Sequence, residues 1–257
     1  GGVNAAIAAR ADVLIVGPST ALHHYDDGML ERMLGTSVWN AGAEGRGLLY
    51  GRGLLSLVAA IHPPKVVVFD VSYFENEREA SRALAPFYGR NATVDRILTL
   101  DWRERIKLLS RTYRFNGMAL SIVSNWGRPA RLHGFEPVGG ALTERPAAAP
   151  RGDKGFGGWF AEEIRGFVGD ARAAGSAVVF VESPSLSPLN PEVLEAYAKI
   201  GHETGVPFVR IELAAVPEFA DIRLFRDAIH LNAEGAAKFT AIVGTQLQRL
   251  GFGRDSR

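Results

Sequence analysis

Five short apolar runs punctuate the chain: Val13 to Val16, Ser37 to Trp39, Val66 to Val71, Ala177 to Val181 and Pro207 to Ile211. Most are continuously apolar rather than alternating, which is the pattern of strands covered on both faces, as in a parallel sheet. Between them, apolar positions recur at helical spacing over Met29 to Leu34, Leu48 to Ile61, Phe160 to Ala174, Pro191 to Thr204 and Ala233 to Leu250. Gly35, Gly175 and Gly205 stand where helix ends favour glycine, and Pro191 and Asn232 where helix starts favour a proline or a capping side chain. Strand alternating with helix predicts an α/β fold of the doubly wound, flavodoxin-like kind: a three-layer sandwich around a five-stranded parallel sheet.

The stretch from about Asn76 to Gly158 departs from this rhythm. Helical spacing reappears around Val94 to Tyr113 and Gly117 to Val123, and is then broken by Gly139-Gly140 and Pro146-Ala147-Ala148-Ala149-Pro150. Connections in compact domains usually run about 4 to 6 residues. The stretch therefore reads as a helical insertion after the third strand, ending in a mobile loop able to cap a site. The expected organisation is a single domain over 1–257 with an insertion or lid at about 76–158.

Composition narrows the function classes. A formal net charge of +1 provides no general attraction for nucleic acid or an anionic membrane. The most basic stretch, Arg103-Glu104-Arg105-Ile106-Lys107 with Arg111 and Arg114, reads as an amphipathic helix with Ile106, Leu108 and Leu109 on its apolar side and a solvated basic side. Without cysteine, disulfides, thiolate catalysis and sulfur-held zinc are excluded. No apolar run approaches the roughly 18 to 20 residues of a membrane span. No signal-peptide pattern opens the chain, and Gly1-Gly2 reads as a cloning scar, with room for an export signal or anchor ahead of it. The Gly-x-Ser-x-Gly elbow, the dinucleotide fingerprint and the phosphate loop are all missing, so no nucleotide cofactor is expected. His23-His24 with Asp26-Asp27 match no metal-ligand spacing, and no metal is expected.

Two distant fragments carry candidate chemistry. Gly17-Pro18-Ser19-Thr20 closes the first strand, and Asp227-Ala228-Ile229-His230 precedes the last helix. A serine hydroxyl attacks a carbonyl carbon when an imidazole removes its proton and a carboxylate fixes the imidazole's tautomer. Ser19, His230 and Asp227 supply those three parts if folding joins them at the carboxyl edge of the sheet, where ligand sites of such folds form. Taken singly, Ser19 or Thr20 also reads as a helix cap and His230 as a core histidine. The backbone N–H of Ser19, at the start of a turn, and the glycine-rich Asn40-Ala41-Gly42-Ala43-Glu44-Gly45 offer donors for an oxyanion. His23, His24 and Tyr25 follow Ser19 closely enough to line an acyl or sugar pocket. Trp126, His133 and Trp159 fall in or near the expected lid, where rings either stack on sugars or simply pack.

These motifs together resemble the SGNH (GDSL-type) hydrolase superfamily. Gly17-Pro18-Ser19-Thr20 is similar to its Gly-Asp-Ser-Leu turn, Asn40 to Gly45 to its second glycine loop, and Asp227-Ala228-Ile229-His230-Leu231-Asn232 to its closing Asp-x-x-His motif. The likeness covers Ala11 to Tyr50, Lys65 to Val71 and Ser176 onward, and leaves the insertion outside. It departs at the third motif, where Gly-x-Asn-Asp is replaced by Ser72-Tyr73-Phe74-Glu75-Asn76, with Phe74 at the asparagine position.

The resemblance implies Ser19 as nucleophile, His230 as base and Asp227 as its orienting acid. It also implies an oxyanion hole from the N–H groups of Ser19 and Gly45, with Asn76 a candidate further donor. Asn40 joins His23, His24 and Tyr25 as candidate substrate contacts. The implied activity is a serine esterase removing O-acyl groups, acetyl above all, from a carbohydrate through an acyl-enzyme on Ser19. A polysaccharide O-acetyltransferase using the same residues is the alternative, and a carbohydrate-binding domain of weak chemistry the second. The expected substrate is an acylated carbohydrate or other small ester, without nucleic acid or cofactor. The expected setting is periplasmic or extracytoplasmic, beside membrane-associated polysaccharide machinery.

Overall fold

Strands β1 (Val13–Val16), β2 (Val38–Asn40), β3 (Val66–Asp70), β4 (Ala177–Glu182) and β5 (Phe208–Arg210) form one parallel sheet in the order β2-β1-β3-β4-β5. The computed structural model of the protein describes residues 2–72, 77–116, 133–147, 151, 158–211 and 216–253. Its helices are α1 (Gly2–Ala9), α2 (Ser19–His24), α3 (Asp27–Leu34), α4 (Leu48–Ala59), α5 (Glu77–Ala80), α6 (Ala92–Leu98), α7 (Trp102–Lys107), α8 (Arg111–Arg114), α9 (Gly158–Ala173), α10 (Pro191–Thr204) and α11 (Ala233–Arg249).

Leu14 lies in register with Trp39 on β2 and Val67 on β3, and Val67 in turn with Val178 on β4. Successive strand residues point to opposite faces. Leu14, Val16, Val67, Phe69, Val178 and Phe180 join a core completed by α1, α4, α9 and α10. Val13, Ile15, Val66, Val68, Val179 and Val181 join a second core under α3 and α11. Helices on both faces explain why these runs carry no polar alternation, since each wholly buried Val, Ile, Leu or Phe contributes about 1.5–3 kcal/mol.

Helix ends follow local chemistry. Asn190 accepts the Glu192 N–H at 2.9 Å, Pro191 opens α10, and Gly205 closes it in the left-handed region at φ 66°. The helical patterns expected around Val94 to Tyr113 form three short helices, α6, α7 and α8. Asn91, Asp101 and Ser110 each turn a side-chain oxygen onto a backbone N–H, of Val94, Arg103 and Tyr113 respectively, and each starts a new helix. The expected amphipathic side is corrected: only Leu108 turns inward, whereas Ile106 and Leu109 face solvent. The helical pattern at Gly117 to Val123, Trp126, Phe74 and Asn76 lie outside the described residues.

Buried polar contacts bind the described part of the insertion to the framework. Glu77 accepts the Leu48 and Leu49 N–H groups at 3.0 Å each, capping α4 where Gly47 has no side chain to do so. Glu163 on α9 receives Arg96 from α6 at 2.8 Å and Arg52 from α4 at 2.6 Å. Over 133–142 the insertion is hydrogen-bonded to the framework. Glu136 N–H donates to Leu22 O at 3.1 Å, Ala233 N–H to Val138 O at 2.9 Å, and Leu142 N–H to Phe225 O at 2.9 Å. A Cβ on Gly134 would stand 1.7 Å from Asn40 O, so this crossing admits glycine alone. Among the described residues no helix is long and apolar enough to cross a membrane.

Candidate active site

The sheet order reverses between β1 and β3, and the crevice at their carboxyl ends is where ligands of such folds bind. Gly17 ends β1 with φ 153°, and a Cβ there would lie 2.9 Å from both Ala21 Cβ and Asp70 Cβ. That close turn delivers Ser19 as the first residue of α2. Its backbone N–H, in the first helical turn, has no intrahelical acceptor.

Folding brings the two ends of the chain together above this turn. His230 Nε2 lies 2.7 Å from Ser19 Oγ, and His230 Nδ1 lies 3.0 and 3.1 Å from the two carboxylate oxygens of Asp227. Asp227 Oδ1 also accepts the N–H groups of Ile229 and His230 at 2.8 Å each. Burial pushes the Asp227 carboxyl up, but the bonds from the His230 ring and the two backbone N–H groups outweigh it and hold its pKa below the ordinary value. An ionised carboxylate only accepts, so the Nδ1 proton points to Asp227 and Nε2 is left to receive the Ser19 hydroxyl.

The imidazole is fixed from behind. Leu231 N–H donates to His24 Nε2 at 2.9 Å, and Thr240 Oγ1 donates to His24 O at 3.1 Å, locking α11 to α2. Asn232 caps α11 by accepting the Gly235 N–H at 3.1 Å, while its amide donates to Gly140 O and Arg223 O at 2.9 and 2.6 Å.

Beneath Ser19 lies a buried polar floor. Asp70, at the end of β3, accepts the hydroxyls of Thr20, of Tyr25 at 2.7 Å and of Ser183 at 2.6 Å. Burial raises its pKa, and the bonds from Ser183, Thr20 and Tyr25 oppose that rise. Thr20 adjoins Ser19, so this knot sets the orientation of the α2 start.

The expected substrate contacts are mostly structural. Tyr25 is wholly buried on Asp70, and His24 is wholly buried with burial driving its pKa well below the ordinary value. Asn40, also buried, donates to Ala21 O and Tyr25 O at 2.7 and 2.9 Å and accepts the Gly42 N–H at 2.9 Å. Their side chains brace the loops around Ser19 and present no surface to a substrate. His23 sits nearer the opening, its ring 5.6 Å from that of His230, with Nδ1 donating to Glu136 O at 2.6 Å and Nε2 lying 2.7 Å from Glu44 Oε1.

Ala43 N–H donates to Gly17 O at 3.1 Å, bringing the glycine loop to the Ser19 turn. The Gly42 N–H is taken by Asn40, whereas exposed Gly45, at φ 60°, makes no N–H bond among the described residues. Asp26 caps α3 through the Met29 N–H, and Asp27 Oδ2 accepts the N–H groups of Asn40 and Gly134, so neither is gathered with His23 and His24 about a common centre.

A cavity of about 610 Å³ opens beside Thr20, lined also by Arg151, Ser183, Ser185, Leu186 and Ile211. Arg151 is anchored through its backbone N–H to Pro188 O and through Nε to Ser187 O, both at 2.8 Å, and it feels the charges of Asp70, Glu182 and Asp227. Sequence reasoning missed Asp70, Ser183 and Arg151. The acid ending an otherwise apolar Val66-Val67-Val68-Phe69 run was the one visible signal.

A 2-1-3-4-5 parallel sheet with helices on both faces is the doubly wound, flavodoxin-like arrangement, and the chain shares its fold with solved structures. Among solved structures the similarity includes TesA, with a TM-score of 0.51 at 15% identity over 93% of this chain and 98% of that one. The YXIM protein of Bacillus subtilis gives a TM-score of 0.49 at 12% identity, over 93% of this chain and 56% of that one. No family model and no curated protein matches the sequence.

Proposed function

We propose that the protein is a serine esterase that removes O-acyl groups, acetyl above all, from a carbohydrate. Ser19 Oγ attacks the ester carbonyl carbon as His230 Nε2 takes its proton. The C–O bond to the alcohol then breaks, the alcohol leaves with that proton, and the acyl group stays on Ser19. Water, deprotonated by His230, releases the acid and restores the serine. Asp227 holds the ring and stabilises its charged form, and the N–H groups of Ser19 and Gly45 receive the oxyanion.

The observation that carries this reading is the 2.7 Å approach of His230 Nε2 to Ser19 Oγ across 211 positions of sequence. The cavity beside Thr20 supports it with room for part of the ester. Transfer of the same acyl group to a sugar hydroxyl instead of water would use the same atoms. A site of action outside the cytoplasm, beside membrane-associated polysaccharide machinery, belongs to the same reading.

A fluorophosphonate probe is expected to label Ser19, and Ser19→Ala is expected to lower turnover of an aryl acetate by roughly 10³-fold or more. Acetate release from O-acetylated polysaccharide, with mass spectrometry of added oligosaccharide acceptors, separates hydrolysis from transfer. Absence of labelling, together with turnover unchanged in Ser19→Ala, would refute the esterase.

A further inference from the structure

Helix α7 is turned inside out. Trp102 and Ile106, at positions i and i+4, are 66% and 59% exposed, and Leu109, in the turn that follows the helix, continues this apolar stripe at 76% exposed. The opposite side is seated on protein. Leu108 is buried, and Glu104 receives Arg82 and Lys107 at 2.8 Å each, together with the Tyr113 hydroxyl. Phe115, just beyond α8, is exposed as well. The remaining large apolar side chains exposed among the described residues, Ile61 and Leu250, belong to distant segments.

Basic residues border the stripe. Arg103, Arg105, Lys107, Arg111 and Arg114 stand against Asp101 and Glu104 over 101–115. Both acids are engaged: Asp101 accepts the Arg103 N–H at 2.9 Å, and Glu104 faces inward. The Arg103 guanidinium lies 5.5 Å from the Trp102 ring centroid, and that of Arg114 lies 5.9 Å from the Phe115 ring. A cluster of exposed apolar groups marks an interaction surface. An apolar stripe set among basic side chains, with both nearby acids engaged, complements an acyl boundary overlaid by anionic headgroups.

We propose that the α7–α8 face seats the protein on the surface of an anionic bilayer. Trp102, Ile106 and Leu109 enter the headgroup–acyl boundary, and the exposed Arg103, Arg105 and Arg111 contact lipid phosphates. The test is co-sedimentation of the whole chain with phosphatidylglycerol–phosphatidylcholine vesicles and with pure phosphatidylcholine vesicles. Binding to the anionic vesicles is expected to be roughly tenfold tighter or more, and to weaken as salt is added. The double variant Trp102→Ser, Leu109→Ser is expected to lose about tenfold in vesicle affinity while keeping the melting temperature and aryl acetate turnover of the parent, because both positions are exposed and outside the Ser19 site. Equal retention on both vesicles, no retention, or undiminished binding of the variant overturns the proposal. So does a concentration-dependent dimer that the same variant dissolves, which would make a second copy the occupant.

Discussion

The floor and the rim of the Ser19 site treat their carboxylates in opposite ways. Asp70 is sealed, meets three hydroxyls and has its pKa raised by burial. Asp227 is half exposed, meets an imidazole and two backbone N–H groups, and is held in its charged form. The rim carboxylate is placed to keep a charge that a neighbour needs; the floor carboxylate ties β3, α2 and the chain after β4 together. Chemistry and stability should therefore separate when the two are altered.

The largest effect is expected at the rim. Asp227→Asn removes the acceptor that selects the His230 tautomer, and kcat for an aryl ester should fall by about 10³-fold or more with little change in unfolding free energy. Comparable kcat in the variant and the parent would erase the distinction. At the floor, Asp70→Asn replaces an acceptor with an amide whose Nδ2 faces hydroxyl donors. At least one of Thr20, Tyr25 or Ser183 then loses its acceptor, costing about 1–3 kcal/mol in denaturant unfolding, with turnover falling far less than in Asp227→Asn.

Glu77, another buried carboxylate, gives the smallest effect and sharpens the contrast. Burial raises its pKa from 4.5 to about 7, only partly offset by the Leu49 and Leu48 N–H groups. The unfolded chain ionises this group near 4.5 whereas the folded chain holds the proton to about 7, so the folded state binds more protons between them. Its contribution to stability therefore falls as pH rises through that window. In Glu77→Gln the drop in Tm between about pH 5 and pH 8 should be shallower by a few degrees. An unchanged slope would assign the dependence to another group.

The framework was legible because its signals are local. The apolar runs placed all five strands within one or two residues, and Pro191 and Gly205 bounded α10 at Pro191 and Thr204. Helix α1 escaped because its alanine-rich sequence shows only weak periodicity. The break-up of Val94 to Tyr113 turned on Asp101 and Ser110 acting as caps within an otherwise helical pattern. At the site, Ser19, Asp227 and His230 stood out by residue type, order and motif. The floor did not, because Asp70, Ser183 and the Thr20–Tyr25 stretch come from three separate segments that no motif spacing links. For the same reason His24, Tyr25 and Asn40 read as surface candidates when their polar groups serve backbone and buried partners.

The contact between α2 and the residues ahead of α11 also orders events during biosynthesis. The hydroxyl leaves the ribosome 211 positions before the imidazole that it meets. Such a long closure has to wait for the intervening chain to organise. A nascent polypeptide stalled before His230 therefore holds Ser19 without its partner, and the contact between them forms only once the segment ahead of α11 has been made and docked.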